Sequence, residues 1–273
     1  MRWAYIINGS EKTFISQNNC HFLESEITEV DTRTKEQEIA GGDGVLVGPN
    51  TFGPFELTLK FYYDGIDKSD LILFTEKIKG IIHTRNAMYV VNSDIPGRKY
   101  AFNSAKIEWE RITNSDITFS ITFNCFKGFS ESVNTTDDEF FFESNWMFEN
   151  GIPLDFEPKY HHTSSQFTIW NGSTDTIDPR NIYHQLQIKM NIKATDGFEL
   201  VNYTTGDIFR YNKSISPGID FVLSGVHAYY DNNKVGIDTN RGVITLAPGK
   251  NILKIRGDVS SQNVVFKFPF IYR

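Results

Sequence analysis

The sequence predicts a mainly β protein of two domains, an amino-terminal β domain with one α-helix and a carboxyl-terminal antiparallel β-sandwich. Three observations carry this. Large apolar residues recur at alternate positions in the first half, one segment switches to a three- and four-residue period, and turn dipeptides cut the second half into short segments at near-regular spacing. A length of 273 residues fits one large or two modest domains.

The period of two is plainest in Phe55–Tyr63, where Glu56, Thr58 and Lys60 alternate with large apolar residues, and in Ile117–Cys125. Arg2–Asn8, Ile27–Asp31, Ala87–Asn92 and Tyr100–Trp109 are further expected strands, each bounded by Gly, Pro, Asn or Asp. Between about residues 67 and 83, Leu71, Phe74, Ile78, Ile81 and Ile82 fall on one helical stripe. Asp67 or Ser69 can cap its start, and Lys77 and Lys79 lie toward its end. That stripe needs a sheet to cover.

Residues 130–139 are polar and acidic with one aliphatic residue, and 131–143 is expected to link domain 1–130 to domain 144–273. Beyond them the expected strands are Gln166–Trp170, Gln185–Ala194, Glu199–Tyr203, Asp207–Tyr211, Phe221–Leu223, His227–Tyr230, Gly242–Leu246, Asn251–Arg256 and Val264–Tyr272. Turns such as Asn171-Gly172, Asp196-Gly197, Pro217-Gly218 and Pro248-Gly249 separate them.

Composition narrows the function. Aromatics make up 14% and the AVILMFWYC set 40%, enough for real cores and against global disorder. A net charge of −7 argues against a polyphosphate partner. Cys20 and Cys125 are too few for a disulfide scaffold and are expected to be reduced, partly buried thiols. No signal-peptide pattern and no apolar run of membrane-spanning length is present. Synthesis in a cytoplasm is therefore expected, with another route out for any extracellular role.

No local motif points to catalysis. His161 and His162 are adjacent and lack a third ligand at metal spacing, while His21, His83, His184 and His227 stand alone. Asp137-Asp138-Glu139 and Glu108/Glu110 read as solvated faces, leaving open a hydrolase whose carboxylates come from different strands. Gly41-Gly42-Asp43-Gly44 lacks the lysine and following helix of a phosphate loop. Sequons at Asn8, Asn134, Asn171, Asn202 and Asn212 matter only in a glycosylating pathway. Trp146, Trp170, Tyr229 and Tyr230 are candidate sugar platforms, although large aromatics usually serve packing first.

The order of several turn motifs resembles the distal tail protein (Dit) family of long-tailed phages infecting Gram-positive bacteria. Val30-Asp31-Thr32-Arg33 followed by Ile39-Ala40-Gly41-Gly42-Asp43-Gly44 looks like the opening of that family, and Asp94-Ile95-Pro96-Gly97-Arg98-Lys99-Tyr100 like its middle step. Trp170-Asn171-Gly172 with Ile177-Asp178-Pro179, Asp238-Thr239-Asn240-Arg241-Gly242 and Leu246-Ala247-Pro248-Gly249-Lys250-Asn251-Ile252-Leu253-Lys254-Ile255 look like its carboxyl-terminal half. The resemblance spans nearly the whole chain.

What it implies is a ring-forming amino-terminal domain and a projecting carboxyl-terminal sandwich of galectin-like fold. The ring would be a homohexamer joining the tail tube to the tail-tip hub and leaving a channel through which DNA passes. The implied partners are the major tail tube protein, the tape-measure protein, a hub or lysin protein, and receptor-binding or baseplate proteins. The implied location is the virion tail tip, assembled in the host cytoplasm, with no enzymatic activity, cofactor or metal. The Gly-rich stretch 38–54 is long enough to reach a neighbouring subunit, so Gly41, Gly42, Asp43, Gly44, Val45, Leu46, Val47 and Gly48 are the candidate ring-contact residues. The alternative is a carbohydrate-binding module that docks the tail on cell-wall polysaccharide through the second domain, with no sugar-site residue assigned. A wall-degrading hydrolase is the third reading.

Overall fold

A computed structural model of the chain describes residues 2–138, 151–153 and 155–273. These residues divide into two compact units, the first running to Ser130 and the second Glu131–Tyr272. Both are mainly β, and the first holds the one α-helix among the described residues.

The first unit comprises β1 (Ala4–Asn8), β2 (Glu11–Phe14), β3 (Cys20–Ile27), β4 (Thr32–Arg33), β5 (Glu36–Glu38), β6 (Val45–Val47), β7 (Thr51–Phe52), β8 (Phe55–Tyr63), α1 (Lys68–Ile82), β9 (Met88–Asn92), β10 (Arg98–Arg111) and β11 (Ile117–Cys125). Its main sheet runs β2-β1-β9-β10-β11-β8-β3, antiparallel at every pair. The two strands with the clearest alternation sit side by side in register, Ile121 opposite Leu59 and Phe123 opposite Leu57, all four buried. Alternation therefore delivered one continuous apolar face.

Helix α1 covers that face through Leu71, Ile78 and Ile82, while Phe74 stacks on Tyr63 at a centroid distance of 3.7 Å. Asp67 caps the helix, accepting hydrogen bonds from the Ser69 and Asp70 amides at 2.8 and 2.9 Å. Cys20 and Cys125 lie in the same core, unbridged, and burial pushes both thiols up to about 12.

The strand expected at Ile27–Asp31 instead ends at Ile27. Cys20 and Phe22 face the core opposite Tyr63 and Phe61, but a register shift between Phe22 and Glu24 breaks the alternation and leaves Leu23 exposed. Strand β2 was not expected at all, being an edge strand of mixed polarity paired only with β1.

The Asn92–Lys99 turn fastens β1 and β3. Asn92 Oδ1 accepts the Asp94 and Ile95 amides at 3.0 and 3.2 Å, and the Asp94 carboxylate accepts from Arg2 and from the Ser25 amide and hydroxyl at 3.1 and 2.8 Å. Burial alone would raise the Asp94 pKa; the hydrogen bonds from Arg2 and Ser25, with the Arg2 charge, outweigh it and hold the carboxyl below its ordinary value. Its contribution to stability is thus complete above the unfolded carboxyl's pKa of about 3.9 and vanishes as pH falls through the lower folded value. Asp94→Asn is expected to cost about 1 kcal/mol at pH 7 and measurably less at pH 2, below the unfolded carboxyl's pKa. Urea melts at both pH values check this, and an equal loss at the two would count against it.

The second unit contains β13 (His161–His162), β14 (Gln166–Asn171), β15 (Gln187–Ala194), β16 (Phe198–Asn202), β17 (Asp207–Tyr211), β18 (Phe221–Ser224), β19 (His227–Tyr230), β20 (Asn233–Lys234), β21 (Gly249–Arg256), β22 (Val259–Lys267) and β23 (Ile271–Tyr272). The short strand β12 (Ser130–Ser132) straddles the boundary. A six-stranded sheet in the order β13-β22-β15-β18-β19-β20 faces a four-stranded sheet β14-β21-β16-β17. Aromatic rings join them: Phe198, Phe209 and Tyr211 of the smaller sheet meet Phe221 of the larger at 5.2, 5.8 and 4.9 Å, and Phe167 meets Phe266 at 5.9 Å.

Three expectations need correction here. Of the expected linker 131–143, residues 131–136 are packed rather than solvated, while Asp137 and Asp138 are exposed. Glu131, Ser132 and Thr136 are buried, with the Ser132 and Thr136 amides donating to Phe270 and Phe268 carbonyls at 2.8 and 3.0 Å; residues 139–143 lie outside the described residues. Short hydroxyl side chains did this, because they can serve as backbone partners inside a core. Gly242–Leu246 forms no strand, only an isolated bridge from Leu246 to Ile177. Side chains take the place of a ladder there: the Thr245 amide donates to Asp207, and the Thr245 carbonyl accepts from Asn202. Val264–Tyr272 is divided at Pro269, which cannot donate to a ladder.

Candidate assembly interface

The expected ring-contact residues lie on a two-stranded arm, not in an irregular loop. Strand β5 pairs with β6, Glu36 opposite Val47, Gln37 opposite Leu46 and Glu38 opposite Val45, and β4 pairs with β7 nearer its base. Gly41, Gly42, Asp43 and Gly44 make the tip, where Gly41 (φ +80°) and Gly44 (φ +85°) take a backbone conformation that side chains with a Cβ disfavour. Gly48 continues the ribbon, its amide donating to the Lys35 carbonyl at 2.8 Å, and Thr34 donates to Asn50 Oδ1 at 2.8 Å. At the base Arg33 pairs with Asp31 at 2.7 Å, an exposed ion pair of little energetic weight.

The arm is apolar where it should be wet. Val45, Leu46 and Val47 are 45%, 59% and 60% exposed, and Ile39 is 56% exposed. Successive strand residues point to opposite faces, so both faces of β6 present aliphatic side chains. Both edges of the arm are also unpaired among the described residues, since β4, β5, β6 and β7 pair only with one another. A flat apolar ribbon with open edges is a template for association with another chain. Composition hid the ribbon: the Val45-Leu46-Val47 run has strand propensity, but its partner Glu36-Gln37-Glu38 has none of the apolar alternation that marks a strand.

Residues 7–125 match the family model of the phage tail protein RIFT-related domain. The arm lies inside that span. Over 98% of this chain and 99% of the other, the fold matches that of the SPP1 Dit (gp 19.1) protein, described as a paradigm of the hub adsorption apparatus in phages infecting Gram-positive bacteria, with a TM-score of 0.66 and 14% identity. Weaker likenesses are to phage P2 baseplate structures in the activated conformation, with Ca at a TM-score of 0.47 and 9% identity over 99% and 98% of the chains, and with Sr at 0.43 and 8% over 98% of each. No curated protein matches the sequence. The resemblance to the distal tail family read from the turn motifs thus meets a phage tail domain in the first unit and a Dit fold along the chain.

The other candidate groups are dispersed. Glu108 pairs with Lys106 at 2.6 Å and Glu110 accepts from Thr118 at 3.4 Å, both exposed on β10. Asp137 holds Lys267 at 3.1 Å and lies 3.5 Å from His161; the Lys267 hydrogen bond is the main reason its pKa falls. His162 stacks on Phe167 at 4.6 Å, and burial lowers its pKa. His184 accepts the Asp178 amide at 3.0 Å. Among the described residues no three His, Cys, Asp or Glu side chains could hold a metal ion, and no helix is long and apolar enough to cross a membrane. Of the candidate platforms, Trp170 donates to the Gly151 carbonyl at 2.7 Å, the Tyr230 hydroxyl accepts the Ser216 amide at 3.1 Å, Tyr229 lies on the outer face of the larger sheet, and Trp146 lies outside the described residues.

Proposed function

We propose that this chain is a structural distal tail protein that assembles into a hexameric ring at the phage tail tip. The apolar, open-edged arm within a phage tail domain is the observation that carries the reading. In this reading the unit up to residue 130 forms the ring, and the arm reaches the neighbouring subunit through residues 41–48. The sandwich unit projects and anchors baseplate or receptor-binding proteins. The ring joins the tail tube and tape-measure proteins to the hub and lets DNA through. The acidic net charge of −7 suits passage without retention, because like charge repels the duplex. The protein acts as a scaffold rather than an enzyme, built in the host cytoplasm and carried in the virion.

Negative-stain microscopy of the full chain at high concentration is the test. Six-fold rings are the expected result; a monomer at every concentration, or a ring of another order, overturns the proposal. High concentration matters because subunit association follows mass action.

A further inference from the structure

A groove of about 240 Å³ runs beside helix α1 in the first unit. One wall is the side of the helix that carries Leu73, Phe74, Lys77 and Ile81; the other is the Phe14–Asn18 turn that follows β2. Ile15 and Ile78 lie at the bottom, both almost fully buried. Leu73 on the rim is 70% exposed, an aliphatic side chain where an amphipathic helix ordinarily turns polar residues to water.

The polar groups of the groove are unequal at its two ends. Asp70 is already occupied, accepting the Tyr63 hydroxyl at 2.7 Å and the Ile66 amide at 3.0 Å. Two helical turns further on stands Lys77. Its neighbour Lys79 is paired with Glu76, but Lys77 has no carboxylate partner among the described residues. A small-molecule pocket converges several unfilled donors and acceptors on its ligand; this groove offers an aliphatic rim and one unpaired cation.

The arm carries the matching chemistry. Cross-strand partners share a face, so Val45 and Val47 stand with Glu38 and Glu36, while Leu46 stands with Gln37 on the opposite face. The open edge of β6 is therefore a wedge, aliphatic on both sides and acidic along one. Glu36 and Glu38 have no cationic partner among the described residues.

We propose that the groove is the socket for the arm of a second copy of this chain. The β6 edge enters with Val45 and Val47 against the helix wall and Leu46 against the Phe14–Asn18 turn, which brings the glutamate row toward Lys77. Asp70 fixes the direction of entry, because it repels the glutamates from its own end and leaves them the Lys77 end. The socket rests on the ring reading above and names the surface that receives the arm.

Cross-linking the full chain tests this. Leu73→Cys is combined in one chain with Val45→Cys or Val47→Cys, and the assembled ring is treated with a short bis-maleimide. Cys20 and Cys125 stay out of the reaction, because burial pushes their thiols up to about 12. A ladder of covalently joined subunits on a denaturing gel is expected, with no ladder from any single-cysteine variant. Leu73→Asp is expected to raise the concentration needed for assembly at least tenfold with an unchanged melting temperature. Lys77→Glu should act likewise, and Glu36→Lys with Glu38→Lys in the same chain should restore assembly. A ring whose subunits stay unlinked, links confined to single protomers, or assembly indifferent to Leu73→Asp overturns the socket and spares the ring reading. A chain that is monomeric at every concentration overturns both.

Discussion

Leu46→Asp combined with Val47→Asp is expected to leave a folded protomer and abolish the ring. Both side chains are more than half exposed in the protomer, so replacing them removes no core contact, and the change in protomer stability should stay within about 0.5 kcal/mol. In the assembly proposed above the same atoms are buried at every subunit contact. Losing two buried aliphatic side chains costs roughly 3 kcal/mol or more per contact, about a hundredfold in each association constant. Burying the new carboxylates adds to that. Thermal melting and sedimentation velocity on the same sample read the two effects separately: an unchanged melt with a monomer peak is the expected pair. An intact ring would remove residues 45–47 from the interface. Deleting Gly42–Asn50 should act in the same direction, since it removes β6 while leaving the main sheet of the unit untouched.

The second large effect is expected at Asn251. This side chain is fully buried in the sandwich, where Oδ1 accepts the Ala247 amide at 2.9 Å and Nδ2 donates to the Ala247 and Gly249 carbonyls at 2.8 and 3.1 Å. It also accepts from Asn202, which in turn donates to the Thr245 carbonyl, while Asn171 donates to the Leu246 carbonyl at 2.9 Å. Three asparagines thus tie residues 245–249 to the smaller sheet, and Gly249 at φ +82° completes the turn. Asn251→Leu keeps the volume but takes the partner from the part-buried Ala247 amide and from the Ala247 and Gly249 carbonyls. At about 1 kcal/mol for each lost hydrogen bond, a loss of about 3 kcal/mol is expected. For a unit of this size that lowers the melting temperature by roughly 10 °C. Ring formation through the first unit should persist at temperatures where the sandwich stays folded. Calorimetry resolves the two, and a shift under about 2 °C would mean that water replaces the lost partners.

How much was legible followed from how each segment earns its stability. Phe55–Tyr63, Ile117–Cys125 and the helix announced themselves because one face of each is buried and the other wet, so the burial period is written in the residues. Residues 131–138, by contrast, are held through hydroxyl-to-backbone bonds, and Ser, Thr and Asp look the same in a buried turn as in a solvated linker. Thr245 and Leu246 misled in the opposite direction: they are buried like a strand but bonded by Asp207, Asn202 and Asn171. The candidate contact residues 41–48 were legible as a place and not as a shape. Their glycines marked an extension, while the ribbon depends on cross-strand pairing with Glu36–Glu38.

The two edges of the arm are chemically unequal. Strand β5 carries Glu36 and Glu38, and β6 carries only aliphatic residues. Two arms meeting through β5 would oppose like charges, so that edge refuses its own copy, while the β6 edge stays receptive. In the ring proposed above, that inequality would leave β6 rather than β5 as the edge offered to a neighbouring subunit, and a head-to-tail contact made through it would close into a ring when the rotation per subunit divides the circle and run on as a filament when it does not. The acidic half of the ribbon would thereby act as a guard along one side of the arm, limiting which surface can seat against it.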